Sequence, residues 1–184
     1  MFFLRLIRCL FLWNVRPATD ALIQQSHAIF AFSDSKMKDG TPGEGNRAIA
    51  KTATMLRERF HLPILAQEEV ALATGSCLAF EFVARGDKHG VSTFRWNTAT
   101  ITQMFAKVCQ QKDWSHIVIV ATPAHQRRAI WVAERYGFHA VAAPMPKVKY
   151  FHKDLALWAC RGGEWRFRMR EFAVRIFFLL RGDI

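Results

Sequence analysis

Cysteine is scarce in this chain of 184 residues. The four cysteines, Cys9, Cys77, Cys109 and Cys160, are widely separated and form no Cys-x-x-Cys pair, which argues against a zinc ribbon or a redox dithiol. The spacings of the histidines are not those of metal ligands either. The sequence therefore predicts no metal site, and reduced, mostly buried thiols in a cytoplasmic protein.

Acidic residues are also few. The chain has 15 Asp and Glu against 26 Lys and Arg, which gives a formal net charge of +11. This excess of positive charge favours anionic partners such as phosphates, nucleic acid or membrane lipid over cationic ones.

The chain lacks a long uncharged hydrophobic run. Residues 1–13 are strongly apolar, but Arg5 and Arg8 interrupt them, and a membrane-spanning helix needs about 20 largely uncharged residues. No small-residue cleavage site follows, so a secretory signal is not expected. We interpret residues 1–25 as an amphipathic helical segment that docks on the domain or lies in a membrane interface. Residues 26–184 contain no repeat and are predicted to form one domain.

The most informative stretch is residues 115–138. Residues 117–121 form a short apolar, β-branched run, typical of a parallel strand that is buried on both faces. Thr122 can cap the helix that follows, Pro123 suits its first position, and Gly137 can end it. The pattern predicts a strand, a tight turn and a helix.

Short apolar runs of this kind alternate with amphipathic helical stretches along most of the chain. This alternation predicts a three-layer, Rossmann-like α/β domain with a mainly parallel sheet and helices on both faces. The predicted strands of that sheet are 28–32, 63–66, 79–84, 117–121 and 139–143, with a further strand candidate at 155–160.

A polar loop, residues 34–45, follows the first predicted strand. It is rich in Gly, Pro and Asp, and its position suggests either a ligand loop that begins at Asp34 or an ordinary surface loop. It contains no Gly-x-Gly-x-x-Gly motif, so the phosphate-binding turn of dinucleotide enzymes is not indicated.

Candidate ligand-binding side chains cluster around the central strand and its neighbours. His125 and Arg128 lie one helical turn apart near a helix N-terminus, and ligands of open α/β sheets bind beyond the carboxyl ends of the strands. A histidine and an arginine at such a place suit a phosphate or carboxylate, so we expect both side chains to be exposed in a cleft. Because an unperturbed histidine titrates near pH ~6.5, binding through protonated His125 should weaken as the pH rises. The other candidates at this edge are Asn97, Thr98, Thr122 and Asp34; Asn97 or Thr98 could instead simply cap its helix.

No combination of nucleophile, base and orienting group is apparent, so the sequence selects no catalytic mechanism. The last stretch of the chain, residues 165–181, alternates apolar and cationic residues. We interpret it as a basic amphipathic helix that packs on the domain or binds an anionic membrane surface. Nucleic acid is disfavoured, because its aromatic residues look like core residues rather than stacking platforms.

The motif His125-Gln-Arg-Arg128-Ala129 after a strand, Asn97-Thr98 at the start of the preceding helix and the basic apolar stretch 170–182 resemble the YdcF/SanA/ElyC-like family of bacterial Rossmann-like proteins. The resemblance covers residues 27–182 in order and spacing. It implies a Rossmann-like fold, a nucleotide-type ligand such as S-adenosylmethionine, and a role in the cell envelope.

Some positions depart from the family pattern: Arg95 stands in place of a Ser, and Ile101 in place of an Asn. These departures support an alternative hypothesis of a non-enzymatic protein whose ligand site has decayed. Such a protein would act at the inner face of the plasma membrane through its basic amphipathic terminal helices.

Overall fold

The computed structural model describes residues 15–34, 36–75, 80–85, 98–148, 150, 153–155 and 163–181. The predicted N-terminal helical segment therefore lies largely outside the described residues. So do Cys9, Cys77 and Cys160, whereas Cys109 is a free and fully buried thiol.

Five parallel strands form one sheet in the order β3-β2-β1-β4-β5. The predicted class, α/β with a parallel sheet and helices on both faces, is confirmed. The central strands β1 and β4 are buried except for His116 at the start of β4, because their apolar β-branched and aromatic residues face helices on both sides. The strands are β1 (Ala28–Ala31), β2 (Ile64–Gln67), β3 (Phe82–Ala84), β4 (His116–Val120) and β5 (His139–Ala142).

Helices cover both faces of the sheet. We number the described helices α1 (Asp20–Gln24), α2 (Glu44–Phe60), α3 (Glu68–Ala73), α4 (Thr98–Gln111), α5 (Pro123–Arg135) and α6 (Gly163–Arg181). Helices α4 and α5 pack on one face, around Phe30 and Phe105, whereas α1, α2 and α3 pack on the other, around Ile29 and Ile49. The two faces differ because neighbouring residues of a strand point in opposite directions.

The predicted strands agree with the structure to within one residue at most ends. The third is shorter than predicted, since only Phe82–Ala84 pair with β2, and residues 76–79 lie outside the described part of the chain. Of the candidate strand 155–160, Leu155 forms an isolated antiparallel bridge with Met37, and the remainder is not described.

The turn from β4 into α5 follows the sequence expectation except for its cap. Pro123 opens the helix, and Gly137 follows its end with a φ of 87°, a left-handed conformation that glycine adopts readily. Thr122 occupies the N-cap position, but its side chain makes no capping hydrogen bond. Its carbonyl oxygen instead accepts the N–H groups of His125 and Gln126.

Helix α6 packs against α5 and carries its polar and apolar residues in an unusual arrangement. Its inner face buries Glu171 and Arg175 completely, together with Phe167 and Phe178. Its outer face exposes a row of apolar side chains spaced four or seven residues apart, with exposed fractions from 38% to 83%: Trp165, Met169, Ile176 and Leu180. The helix thus buries an ion pair and exposes apolar residues to solvent.

Candidate functional site

The strand order places a topological switch point between β1 and β4. From β1 the chain continues toward β2 and β3, whereas from β4 it continues toward β5 on the other side. The connections that leave these two adjacent strands therefore diverge, and in open α/β sheets this is where a ligand-binding crevice is expected. The segment after β1 begins with Phe32 and Ser33, and the segment after β4 leads through Thr122 to His125.

His125 lies at this edge, next to the aromatic core. Its ring packs edge-on against Phe32, with 5.9 Å between ring centroids, and Phe32 contacts Phe30 and Phe105 in turn. The Nε2 atom of His125 lies 3.1 Å from the hydroxyl oxygen of Thr98, at the start of α4. His125 and Thr98, two of the predicted site residues, are therefore in direct contact.

The surroundings of His125 keep its ring uncharged at neutral pH. Burial lowers the pKa of His125 well below its usual value of 6.5, and the positive charges of Arg128, Arg170 and Arg175 lower it further. The lowered pKa argues against the hypothesis that His125 binds an anion through its protonated form near pH ~6.5. The residue can act there only as a neutral hydrogen-bonding group.

Arg128 is 6% exposed and points into the protein rather than into an open cleft, contrary to the sequence expectation. Its Nε and Nη2 atoms donate to the two carboxylate oxygens of Glu171, at 2.6 and 3.1 Å. Its Nη1 atom donates to the hydroxyl of Thr98. The planar fork expected to hold a ligand is thus engaged by a carboxylate of the protein itself.

Glu171 also pairs with a second buried arginine. The Nε atom of Arg175 lies 3.5 Å from a carboxylate oxygen of Glu171, one helical turn away, and both side chains are fully buried. Burial lowers the pKa of Arg175, whereas the charge of Glu171 opposes this shift. The Arg175 guanidinium also lies over the Trp131 ring, 5.3 Å from its centroid. Two cations therefore share one carboxylate, and this buried cluster is positively charged overall.

Gln126, four residues after Thr122, joins the carboxyl ends of β4 and β5. Gln126 is 4% exposed, and its side-chain amide donates to the carbonyls of Ile119 and Ala143. Thr122 is 3% exposed at the N-cap of α5. These contacts fix the position of the first turn of α5, and with it His125.

Asp34 lies on the other side of the crevice, against the first turn of α2. Its backbone N–H donates to the side-chain carbonyl of Asn46, which is fully buried. Its carboxylate is so close to Gly45 that a side chain at that position would collide with it. The negative charges of Asp34 and Glu44 contribute, after burial, to raising the pKa of Tyr150 to about 12.

The loop after Asp34 is fastened to other parts of the protein. The backbone of Lys36 forms an isolated antiparallel β-bridge with Pro42 within the loop, and that of Met37 forms one with Leu155. The side chain of Lys36 forms an ion pair with Glu69 at 3.2 Å. These contacts hold the loop beside the sheet edge. Asn97, the remaining predicted site residue, lies outside the described part of the chain.

Three histidines lie together at the opposite, amino-terminal edge of the sheet. The rings of His116 and His139 stack at 4.7 Å, and His27 contacts His116 edge-on at 5.4 Å. Within the described ranges, no group of His, Cys, Asp or Glu side chains is arranged to hold a metal ion.

Sequence reasoning missed Glu171 and Arg175. Glu171 is the one acidic residue between Trp165 and Arg181, a stretch that contains five arginines. A single acidic residue in so basic a helix indicates a buried cationic partner, because arginines on a solvated face need no counter-charge from the protein.

The described structure defines a three-layer α/β protein of the Rossmann-like type, with a polar cluster at its switch point. Comparisons of the chain with family models, with curated proteins and with solved structures found no match. None of the described helices is both long enough and apolar enough to cross a lipid bilayer.

Proposed function

We propose that this protein binds a small anionic or nucleotide-type ligand at the carboxyl ends of β1 and β4. The observation that carries the proposal is the contact between His125 and Thr98 at the switch point, beside a buried cluster with a net positive charge. Open parallel sheets bind their ligands at this position.

The cluster would attract an anion through its field rather than by direct contact. Arg128 is already bound to Glu171, but the combined charge of Arg128, Arg170 and Arg175 acts on His125 and lowers its pKa. The N-terminus of α5, which also carries partial positive charge, lies at the same edge. His125 would then supply a hydrogen bond, and the cations the electrostatic attraction.

The resemblance to the YdcF/SanA/ElyC-like family suggests which ligands to test. S-adenosylmethionine is the nucleotide-type candidate, and a role in cell-envelope processes is the corresponding cellular proposal. Inorganic phosphate, AMP and ATP are tested beside it as a simple anion and two common nucleotides.

Thermal unfolding with each compound tests the proposal. A ligand at 100 times its dissociation constant adds about 2.7 kcal/mol to the free energy of unfolding. This corresponds to a rise of roughly 5–11 °C in melting temperature for a chain of this size. His125→Ala should weaken binding, whereas His139→Ala, at the opposite edge of the sheet, should not. If no compound raises the melting temperature, or if both variants bind equally well, the proposal fails.

A second candidate function is peripheral binding to an anionic membrane. The observation that favours it is the apolar outer face of α6, on which Trp165 is 72% and Leu180 83% exposed. Arg166 and Arg170 flank this face, as does Arg168, which pairs with Glu164; each unneutralised cation near an anionic bilayer contributes about 1 kcal/mol. Apolar side chains between cations are typical of helices that lie in the membrane interface.

Sedimentation with vesicles tests this second function. The protein should bind vesicles that contain phosphatidylserine at low salt, and salt should release it. The double variant Trp165→Ser with Leu180→Ser should bind less, whereas Leu72→Ser, which removes a 60% exposed apolar residue from α3, should bind normally. Self-association without vesicle binding would contradict the proposal and would indicate that the face is an interface between protein copies.

A further inference from the structure

We infer that Glu171, on the last helix, is a positioning residue for the candidate ligand site. Through Arg128 and Thr98, its carboxylate holds the ring of His125 as the neutral tautomer with the hydrogen on Nδ1. The site then offers an uncharged N–H donor to the acceptor oxygen of a phosphate or carboxylate. The use of this donor by a ligand rests on the proposed function, whereas the chain of contacts does not.

The first step is the orientation of Arg128 by Glu171. A carboxylate that accepts from both Nε and Nη2 fixes the plane of the guanidinium group. With these atoms engaged, Nη1 lies against the hydroxyl of Thr98. Because Arg128 and Glu171 are both buried, water does not compete for these bonds.

The second step is the direction of the hydrogen bond between Thr98 and His125. A guanidinium group can only donate, so the oxygen of Thr98 accepts from Arg128. Its own hydrogen is then available to donate to Nε2 of His125, 3.1 Å away. In this direction Nε2 accepts and carries no hydrogen, which is the inferred tautomer with the ring hydrogen on Nδ1; the opposite direction, with Thr98 accepting from Nε2 as well, is the alternative that the measurement below distinguishes.

The charges around His125 agree with this arrangement. Arg128, Arg170 and Arg175 act on the ring from α5 and α6, and all three disfavour an imidazolium ion. Glu171 opposes them but is shared between two arginines. The neutral ring is therefore the form to which Thr98 can donate.

The tautomer can be measured by NMR on the full chain labelled with ¹⁵N-histidine, in which two-bond couplings distinguish the two ring nitrogens. The signals of His125 are identified by their loss in His125→Gln. In the unaltered protein at pH 7 we expect Nδ1 to carry the hydrogen. Thr98→Val should change the ratio of tautomers by roughly two- to tenfold, as expected for the loss of one hydrogen bond, and Thr98→Ser should restore it.

Glu171→Gln tests the positioning role itself, because the amide can accept only at its oxygen and cannot hold both nitrogens of Arg128. We expect it to shift the tautomer ratio in the same direction as Thr98→Val. Since this change also removes the counter-charge of Arg175, it is repeated in an Arg175→Met background, where one buried cation remains. A hydrogen on Nε2 in the unaltered protein, or an unchanged ratio in Thr98→Val or in folded Glu171→Gln, would overturn the inference.

The measurement needs no ligand, so its outcome is independent of the proposed function. A ratio that responds to Glu171 without any ligand raising the melting temperature would leave the positioning role standing and refute the binding function. If a ligand binds but the tautomer ratio stays unchanged in Glu171→Gln, the binding function is supported and the positioning role of Glu171 is refuted.

Discussion

The replacement Glu171→Leu should be among the most destabilising single changes in this protein. It would leave Arg128 and Arg175 buried without their shared carboxylate, and these side chains are 6% and 0% exposed. Removal of one partner of a buried ion pair typically costs about 3–5 kcal/mol, because the remaining charge cannot recover its hydration. For a chain of this size, the melting temperature should fall by roughly 6–20 °C.

Urea unfolding of a set of variants measures this effect. Glu164→Leu is the matched control, since it removes an exposed acid from the same helix, where Glu164 pairs with Arg168. It should cost less than about 1 kcal/mol. The triple replacement of Arg128, Glu171 and Arg175 by Met, Leu and Met should recover most of the loss, because apolar residues of similar volume need no counter-charge. The reasoning is refuted if Glu171→Leu costs no more than Glu164→Leu, or if the triple variant is as unstable as the single one.

Two further predictions concern the crevice. The pKa of His125 is lowered in the native state, so below pH ~6.5 the unfolded chain binds more protons than the native protein. The free energy of unfolding should therefore decrease as the pH is lowered below that value, by up to about 1.4 kcal/mol per pH unit. Urea titrations at pH 5.5 and 7 measure this effect: His125→Gln should lose the pH dependence, whereas the control His61→Asn, at an exposed histidine, should keep it. If both variants show the same change in stability between the two pH values, the lowered pKa of His125 is not its cause. Gly45→Ala should cost about 1–3 kcal/mol, since the added carbon meets the Asp34 carboxylate. The same cost in an Asp34→Gly background would show that the collision is not the cause.

The sheet was predictable because its signal is local. Each central strand is a run of four or five apolar residues between a helix and a turn, and burial on both faces requires such runs, as in β1 and β4. The third strand was the least accurate, since only three of its residues pair with β2. An apolar run indicates that a segment is buried, but it does not determine how many of its residues pair with the neighbouring strand.

The site was less predictable because its contacts join distant parts of the chain. Sequence reasoning selected His125, Thr98 and Arg128, and the structure does bring them together. It did not identify the partner of Arg128, because Glu171 is 43 residues away and lies in a helix that was expected to pack on the domain or bind a membrane through its apolar residues. A periodic pattern separates two faces of a helix, but it does not determine which of them is buried when the packed face contains an ion pair.

Helix α6 buries an ion pair on its inner face and exposes apolar residues on its outer face, and this arrangement makes the helix sensitive to changes in length. Glu171 and Arg175 are one turn apart, and the exposed row from Trp165 to Leu180 keeps the same phase over four turns. A single residue inserted before Glu171 would rotate one part of the helix by about 100° relative to the other and shift it by about 1.5 Å. The carboxylate would then leave Arg128 while the apolar row was broken in two. Substitutions on the outer face leave this phase intact, so α6 should tolerate changes of residue far better than insertions or deletions.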